Sequence, residues 1–460
     1  RCLFTQDGGG DELNHVYVRL ESGESIDLTP GEKLKAGLLS WQADGSAFYL
    51  FTNERDPQAF DVYRYSADDY SRQRIYDNTG GFRLGSISPD GQFLVLQKTY
   101  TNANSDLFLF DLIAQDAQAK LITPHEGDIS FSSYTFNPTD TTLIHSTNAY
   151  GEFAQARAYD PATGERIPLI TEDWDVMYVS YSPTGRYRVS AINQDARTAV
   201  TIYDASSDQA IEMSGLPDGD LNSVRFSRDE SAIAFSLNRD IAPPDVYRMA
   251  LDAGTARRLT DALNPAIQSS DLVKGEVVRF AGYDGLEIPG ILYRPHQAST
   301  ESPVPALVWV HGGPGGQSRH GYNAAIQHLV NHGYAIYAVN NRGSSGYGKT
   351  FFHLDDQKHG EADLADVVAS RDFLAGLDWI DGRRIGIYGG SYGGYMVAAA
   401  LAFEPEAFDV GINLFGVTNW VRTLKSIPTW WGARRDRLYA ELGDPATDGE
   451  RLRRISPLFH

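Results

Sequence analysis

The sequence predicts a multidomain protein in which an all-β propeller precedes an α/β domain with a mostly parallel sheet. The first part, up to about residue 265, consists of short β-prone runs between turn signals. A turn motif recurs within it at a period of about 45 residues. From about Asp271 onwards, apolar strands alternate with helical segments, which is typical of a parallel sheet. We place the propeller at residues 1–268 and the second domain at residues 269–460.

The repeated motif joins an aromatic or apolar residue to turn formers such as Ser, Asn, Pro, Asp and Gly. It occurs at Trp41–Gly45, Ile87–Gly91, Phe136–Asp140, Tyr181–Gly185 and Phe226–Glu230. Successive copies begin 46, 49, 45 and 45 residues apart, and an alternating strand follows. This period is typical of a WD-like, four-stranded propeller blade, which needs neighbours on both faces and therefore forms part of a ring. A β-sandwich with coincidental turns is the alternative, and the matched spacings disfavour it.

The chain is predicted to begin partway through a blade. Val16–Leu20 and Glu24–Pro30 resemble the back half of a repeat, so we expect one partial blade and about five complete ones. The first residue is Arg1, not Met, and no charged-then-apolar leader follows it. We therefore expect a start that has been processed or truncated.

The second domain is predicted from continuous apolar runs, the pattern of strands buried on both faces. The predicted strands are Glu276–Phe280, Leu286–Tyr293, Ala306–Val310, Ala335–Val339 and Arg384–Tyr388. The predicted helices cover residues 323–331, 361–375 and 396–403.

Composition excludes several classes of function. The 40 basic and 60 acidic residues give a net charge of −20, which argues against a nucleic-acid binder. No apolar run approaches the ~18 residues that span a bilayer, so we predict no membrane span. One cysteine, Cys2, excludes an internal disulfide. There is no H-E-x-x-H motif and no Cys/His cluster, so the sequence predicts neither a metal site nor a cofactor.

The strongest chemical signal is Tyr388–Tyr395, which contains Gly389-x-Ser391-x-Gly393 between a buried strand and an Ala-rich helix. In this context the motif predicts a nucleophile elbow, in which a strained turn lifts the serine hydroxyl above the sheet. The glycines, Gly390 included, leave room for strand and helix to approach each other. The alternative is a glycine-rich turn with an incidental serine.

The second signal is His311–Gly316, which follows a buried strand. In hydrolases with a nucleophile elbow, such a loop supplies one backbone N–H to the oxyanion hole, and the residue after the serine supplies another. We predict Gly313 and Tyr392 as these donors. His311 precedes the nucleophile, where this fold does not place its catalytic histidine, so we predict that it anchors the loop.

These two motifs, together with Asn341–Gly348, resemble the prolyl oligopeptidase family of serine peptidases, in particular its acylaminoacyl-peptidase and dipeptidyl-peptidase-like branch. The resemblance implies a β-propeller before an α/β-hydrolase domain, and a propeller that limits access to short peptides. It implies that Ser391 is the nucleophile. It also places Trp420, Trp430 and Trp431 at a hydrophobic substrate pocket, although ordinary packing of a helical excursion explains them equally well.

The sequence departs from the family pattern after the nucleophile. The triad of this fold runs Ser, Asp or Glu, then His, and the one histidine after Ser391 is His460. We expect the triad Asp and His to lie outside these residues, and the 460 residues alone to be inactive because triad members act as a unit. A carboxylesterase and a non-catalytic, propeller-based binding module remain the alternative functions.

Overall fold

The computed structural model describes residues 2–101, 103–428 and 431–460, with the backbone alone at 432–434. These residues form two kinds of sheet, six small antiparallel ones and then one mixed sheet flanked by helices. The predicted fold class, a propeller followed by an α/β domain, is confirmed.

The first three sheets are blades 1, 2 and 3. Blade 1 contains β1 (Cys2–Gln6), β2 (His15–Arg19) and β3 (Ser25–Asp27). Blade 2 contains β4 (Ala36–Trp41), β5 (Ala47–Asp56), β6 (Ala59–Ser66) and β7 (Arg72–Tyr76). Blade 3 contains β8 (Arg83–Ile87), β9 (Phe93–Thr99), β10 (Ser105–Asp111) and β11 (Lys120–Leu121).

The next three sheets are blades 4, 5 and 6. Blade 4 contains β12 (Phe131–Phe136), β13 (Leu143–Thr147), β14 (Gln155–Tyr159) and β15 (Arg166–Ile170). Blade 5 contains β16 (Asp175–Tyr181), β17 (Tyr187–Gln194), β18 (Arg197–Asp204) and β19 (Gln209–Ala210). Blade 6 contains β20 (Asp220–Phe226), β21 (Ala232–Arg239), β22 (Ala242–Ala250) and β23 (Ala256–Arg258).

Blade 1 differs from the sequence prediction in one strand. The prediction recognised β2 and β3 but missed β1, which pairs with β2 from Cys2 opposite Arg19 to Gln6 opposite His15. The β1 run lacks a preceding turn motif, so nothing in the repeat marked it as a strand. Blade 1 therefore has three strands where the sequence predicted only the back half of a blade.

The repeated turn motif joins the first two strands of blades 2 to 6, and an aspartate side chain stabilises the turn in blades 2, 3, 4 and 6. In blade 6, Asp229 Oδ1 accepts a hydrogen bond from the Ser227 hydroxyl at 2.6 Å and another from Ser231 N at 3.2 Å. Such side-chain bonds to nearby hydroxyl and amide groups are typical of Asx turns. Blades then stack through apolar faces, as where Tyr187 lies parallel to Phe226 at 5.6 Å between blades 5 and 6.

The mixed sheet has the strand order β24-β25-β27-β26-β28-β29. Its strands are β24 (Glu276–Ala281), β25 (Glu287–Tyr293), β26 (Val304–Val310), β27 (Ala335–Val339), β28 (Ile380–Gly390) and β29 (Gly411–Leu414). The pairings β26·β27, β26·β28 and β28·β29 are parallel, while β24 and β25 pair antiparallel. Every residue of β27 is buried, as expected for a strand covered on both faces.

Seven α-helices occur in the described residues, all after the propeller. They are α1 (Ala324–Asn331), α2 (Lys349–Phe352), α3 (Ala362–Ala375), α4 (Tyr392–Phe403), α5 (Trp420–Lys425), α6 (Gly432–Leu442) and α7 (Gly449–Arg454). The sequence predicted α1 and α3 closely, but α4 begins at Tyr392 instead of 396. Gly393 and Gly394 are poor helix formers. They are nevertheless part of α4 because this segment packs closely against its neighbours, as described below. No helix of the described residues is long and apolar enough to cross a membrane.

The propeller and the helices around the mixed sheet make specific polar contacts. Glu152, between β13 and β14, accepts hydrogen bonds from Thr350 N at 2.9 Å and from the Thr350 hydroxyl at 3.0 Å. Asp240, between β21 and β22, lies 3.0 Å from Nδ1 of His320 and accepts a bond from Gly321 N at 2.8 Å. Blade 4 therefore contacts α2, and blade 6 contacts the segment between β26 and α1.

Candidate active site

Ser391 stands at the sharp turn between β28 and α4. Its backbone has φ 57° and ψ −117°, a conformation that non-glycine residues rarely adopt. Two backbone bonds hold it, from Ser391 N to Leu414 O and from Tyr395 N to Ser391 O, each at 3.0 Å. The residue is exposed although its neighbours in α4 are buried. This is the strained, projecting geometry of a nucleophile elbow.

Two positions of the elbow must be glycine because there is no room for a side chain. A Cβ on Gly389 would lie 2.3 Å from Gly393 O, and a Cβ on Gly393 would lie 2.1 Å from Val310 O. Neither position tolerates a side chain, because the atoms it would meet belong to the backbone. Gly390 differs, since its nearest neighbour would be the Phe415 ring at 3.4 Å, an ordinary contact. The elbow therefore depends on Gly389 and Gly393 more than on Gly390.

The glycine-rich loop after β26 passes directly beside the serine. A Cβ on Gly312 would lie 3.7 Å from Ser391 Cβ, so the loop and the serine are in van der Waals contact range. Within the part of the chain that the structure describes, the N–H of Gly313 donates no hydrogen bond. Tyr392 is the first residue of α4, where an N–H has no partner within the helix. Two potential oxyanion donors thus lie on the two segments that flank Ser391.

His311 holds this loop in place. Its side chain is partly buried, with Nδ1 2.9 Å from Gly312 O and Nε2 2.8 Å from the Ser344 hydroxyl. Burial lowers the pKa of His311, so the neutral ring is favoured. With both ring nitrogens engaged, this histidine fits the predicted role of anchor. It links the loop after β26 to Ser344 in the loop after β27.

Arg342, in the loop that the resemblance highlighted, supports the site from a distance. Its guanidinium bonds Asp366 at 2.8 and 2.9 Å and Asp284 at 3.0 and 3.1 Å. Its own N–H also donates to Asp366 at 3.0 Å. Tyr347 in the same loop accepts a bond from Asn340 Nδ2 at 2.9 Å. The loop is therefore held in place by buried polar contacts.

A buried polar cluster lies under Tyr392, and the sequence analysis missed it. The Tyr392 hydroxyl donates a short hydrogen bond to Asp363 and lies 2.7 Å from Nδ1 of His359. Asp355 Oδ2 is 3.2 Å from the same nitrogen. Burial raises the pKa of the Tyr392 hydroxyl, with Asp363 adding to the shift. The spacing of Asp355, His359 and Asp363, four residues apart, was the available signal.

The tryptophans predicted for a substrate pocket have different surroundings. Trp420 is buried, 6.1 Å from the Tyr392 ring and 5.0 Å from the Tyr395 ring. Trp431 is partly buried at the start of α6. Trp430 lies outside the described residues. Trp420 therefore packs behind the residue that follows the nucleophile, an arrangement consistent with both a pocket wall and ordinary packing.

No histidine ring of the described residues hydrogen-bonds to Ser391. His460, which follows it in sequence, has Nε2 2.9 Å from Arg454 O and its ring edge-on to Phe403 at 5.0 Å. His359 is engaged with Tyr392, as described above. The structure therefore places candidate oxyanion donors beside a candidate nucleophile, and no histidine of the described residues contacts the Ser391 hydroxyl.

The fold and the elbow together define a class of protein, a serine hydrolase whose α/β-hydrolase domain carries a β-propeller at its N-terminal side. A family model described as the N-terminal beta-propeller domain of prolyl oligopeptidase matches residues 1–262. A second model, described as the prolyl oligopeptidase family, matches residues 320–460. The chain belongs to the prolyl oligopeptidase family of serine peptidases.

Individual relatives agree with this assignment. The chain is 29% identical to dipeptidyl aminopeptidase BIII of Pseudoxanthomonas mexicana, over 99% of this chain and 68% of the relative. It is 23% identical to dipeptidyl peptidase family member 6 of Caenorhabditis elegans, over 99% and 67%. Among solved structures, a puromycin-hydrolyzing peptidase of Mycobacterium tuberculosis superposes with a TM-score of 0.84 at 15% identity, covering 100% of this chain and 75% of that one. A prolyl endopeptidase superposes with a TM-score of 0.82 at 18% identity, covering 100% and 68%.

Proposed function

We propose that this serine peptidase hydrolyses peptide bonds of short peptides through an acyl-enzyme formed on Ser391. The observation that carries the proposal is the exposed Ser391 in a strained turn, with the glycine-rich loop after β26 in contact range of its Cβ. Strain that the surrounding fold maintains is typical of catalytic positions. The relatives named dipeptidyl peptidases, and a mutant puromycin hydrolase solved in complex with PGG, support peptides as the substrate class.

In the proposed reaction, Ser391 Oγ attacks the carbonyl carbon of the scissile bond as its proton passes to a histidine base. The carbonyl oxygen becomes an oxyanion, which the N–H groups of Gly313 and Tyr392 stabilise. The partial positive charge at the N-terminus of α4 acts in the same direction. Collapse of the intermediate releases the amine, and water then hydrolyses the ester on Ser391. Removal of one such N–H donor typically lowers kcat by about 10²–10³.

The general base is assigned to none of the histidines in residues 1–460. His311 has both ring nitrogens engaged, His359 is bound to Tyr392, and His460 lies against Phe403. The proposed reaction therefore takes its general base from a histidine that the described residues do not bring against Ser391, and the experiments below use the full-length protein. We also propose a domain boundary between residues 268 and 269, after β23 and before β24.

The propeller is proposed to limit access to Ser391. Its blades 4 and 6 contact the hydrolase domain through Glu152 with Thr350 and through Asp240 with His320. A propeller held in this way would leave a cavity that admits short peptides and excludes folded proteins. We expect the protein to hydrolyse a short peptide and to leave the same sequence uncleaved when it is part of a folded protein.

The test is covalent labelling with a fluorophosphonate. We expect one label per chain, located on Ser391 by peptide mapping, and complete loss of labelling and peptide hydrolysis in Ser391→Ala. The matched control is Ser426→Ala, which removes an exposed serine near the end of α5. Retention of labelling and hydrolysis in Ser391→Ala would contradict the proposal.

A substrate comparison separates a peptidase from an esterase. An acyl-peptide and a short acyl ester with the same acyl group would be compared by kcat/KM. A higher value for the peptide supports the proposed function. Hydrolysis of the ester alone would replace it by a carboxylesterase, with the same nucleophile.

A further inference from the structure

One ring nitrogen of His359, Nε2, has no hydrogen bond to any group of the described residues. The His359 side chain is fully buried. The opposite nitrogen is well engaged, since Nδ1 lies 2.7 Å from the Tyr392 hydroxyl and 3.2 Å from Asp355 Oδ2. Because the Tyr392 hydroxyl donates to Asp363, its oxygen accepts from Nδ1–H, which assigns a proton to that nitrogen. A neutral ring would then present a free lone pair at Nε2.

Two carboxylates face this lone pair. Glu441 Oε1 lies 3.9 Å from Nε2, and the ligand atoms of Asp356, His359 and Glu441 all lie within 4.8 Å of one another. Glu441 is in the last turn of α6 and buried, while the Asp356 side chain is 31% exposed. Glu441 and His359 are therefore shielded from solvent, and solvent reaches the group at Asp356.

The turn that carries His359 is docked on the end of α6. Gln357 N donates to Glu441 O at 2.9 Å, and Gln357 Nε2 donates to Ala440 O at 3.3 Å. Gln357 itself has φ 57°, so the turn is held in an unusual backbone conformation. His359 and Glu441 are brought together by this docking, although they are far apart in sequence.

The charges around the group favour a cation. The carboxylates of four residues lie around the His359 ring, namely Asp355, Asp356, Asp363 and Glu441. The C-terminal end of α6 adds partial negative charge at the same place. A cation bound at Nε2 would offset this concentration of negative charge.

We propose that His359 Nε2, Glu441 and Asp356 form a binding site for a divalent transition-metal ion of the zinc type. One imidazole nitrogen with two carboxylates is a donor set that zinc accepts, and hard cations such as Mg²⁺ prefer oxygen alone. Metal-bound histidines typically donate their second N–H to an outer group, which here is the Tyr392 hydroxyl, with Asp355 alongside. His353 Nδ1, 2.9 Å from Asp356 Oδ2, orients the exposed ligand in the same way.

The ion would cross-link α6 to the turn beneath Tyr392. It would lie one imidazole ring away from the residue whose N–H we assign to the oxyanion hole. The site requires no activity of Ser391, so its test is independent of the proposed function.

The experiment is zinc binding to the chelator-treated protein, measured by competition with a chromophoric chelator. We expect one tight equivalent of Zn²⁺, with Mg²⁺ unable to compete. Glu441→Gln and Asp356→Asn keep the side-chain shapes and should each weaken binding by about 100-fold or more, because lost ligands matter at least as much as lost outer groups. Circular dichroism verifies that both variants fold, and Co²⁺ in place of Zn²⁺ should give visible absorption that Glu441→Gln loses.

The control variant removes an exposed pair of histidines at the C-terminal end of α1. His328 and His332 are one helical turn apart, with ring centroids at 4.2 Å, and could chelate zinc by themselves. The variant carrying His328→Asn and His332→Asn should retain the tight equivalent. Loss of that equivalent in this variant, equal affinities of the native protein and Glu441→Gln, or displacement of Zn²⁺ by Mg²⁺ would each overturn the proposal.

Discussion

The propeller and the hydrolase domain use the same residue type, glycine, for opposite physical reasons. Gly45, in the turn between β4 and β5, has φ 73°, and a Cβ there would meet nothing within 4 Å. Gly393, in the first turn of α4, would place a Cβ 2.1 Å from Val310 O. The first glycine supplies a backbone conformation and the second supplies space. The turn at Gly45 is consequently a local structure, while the elbow depends on three segments packed together.

The hydrolase domain and the propeller also differ in how far their ion pairs are exposed to solvent. Arg342 in the hydrolase domain is 5% exposed and meets Asp366, which is 0% exposed. Arg258 in blade 6 is 40% exposed and meets Asp245 at 2.9 Å. Asp245 also accepts bonds from Thr260 and from Ala262 N, so it keeps partners when the arginine is removed. The Arg258–Asp245 pair is therefore more replaceable than the Arg342–Asp366 pair.

The largest expected effect separates the two glycines. Gly393→Ala should lower the free energy of unfolding of the hydrolase domain by about 3 kcal/mol or more, because backbone on β26 must move. Gly45→Ala, the matched change in the propeller, should cost about 1–2 kcal/mol from its left-handed conformation alone. Calorimetry resolves both transitions. Equal losses in the two variants would refute the distinction between space and conformation.

The next effect compares the two arginines. Arg342→Gln should lower stability by about 3 kcal/mol, because it leaves the buried Asp366 without its bidentate partner. Burial already raises the pKa of the Asp366 carboxyl against the opposing influence of Arg342, so the variant is expected to bind a proton there. Arg258→Gln should cost less than about 1 kcal/mol, since its guanidinium is largely solvated. Urea unfolding of both variants tests the order, and a larger loss for Arg258→Gln would reverse the comparison.

The smallest effect concerns pH and a propeller turn. The Ser227 hydroxyl, with the backbone and hydroxyl of Ser231, lowers the pKa of Asp229 from 3.8 to about 2. A carboxyl group whose pKa is lower in the folded state stabilises that state at pH values above its unfolded-state pKa. This stabilisation is lost as the pH falls through the folded-state pKa. Asp229→Asn should therefore lower the Tm near neutral pH, and the difference should shrink as the pH falls from about 4 towards 2. Asp252→Asn, at an exposed aspartate in the same blade, is the control and should show no such pH-dependent difference.

Much of the fold followed from local patterns. The recurring turn motif marked blades 2 to 6, and the continuous apolar runs marked β26, β27 and β28. β1 escaped because no turn motif precedes it, and the start of α4 was placed too late because glycines argue against a helix. In both cases pairing or packing with a distant segment outweighs local propensity.

The site was predicted less evenly. Ser391 was recognised because the elbow motif sits between a buried strand and a helix, and both lie close together in sequence. The group of Asp356, His359 and Glu441 was missed because Glu441 meets the other two residues only through the docking of α6 on the preceding turn. For Trp420, the sequence indicated an aromatic near the site, and its contact with Tyr392 emerged from the packing of α5.

The sequence by itself determined the order of the domains, the blade period and the position of the elbow serine, because each depends on residues close together along the chain. The tertiary structure alone decided which glycines have no room for a side chain, which N–H groups lie beside Ser391, and which carboxylates surround His359. Those properties depend on distances between segments that sequence spacing does not encode. Gly389 and Gly390 illustrate the division, since they are adjacent in the same motif and only the first is pressed against backbone.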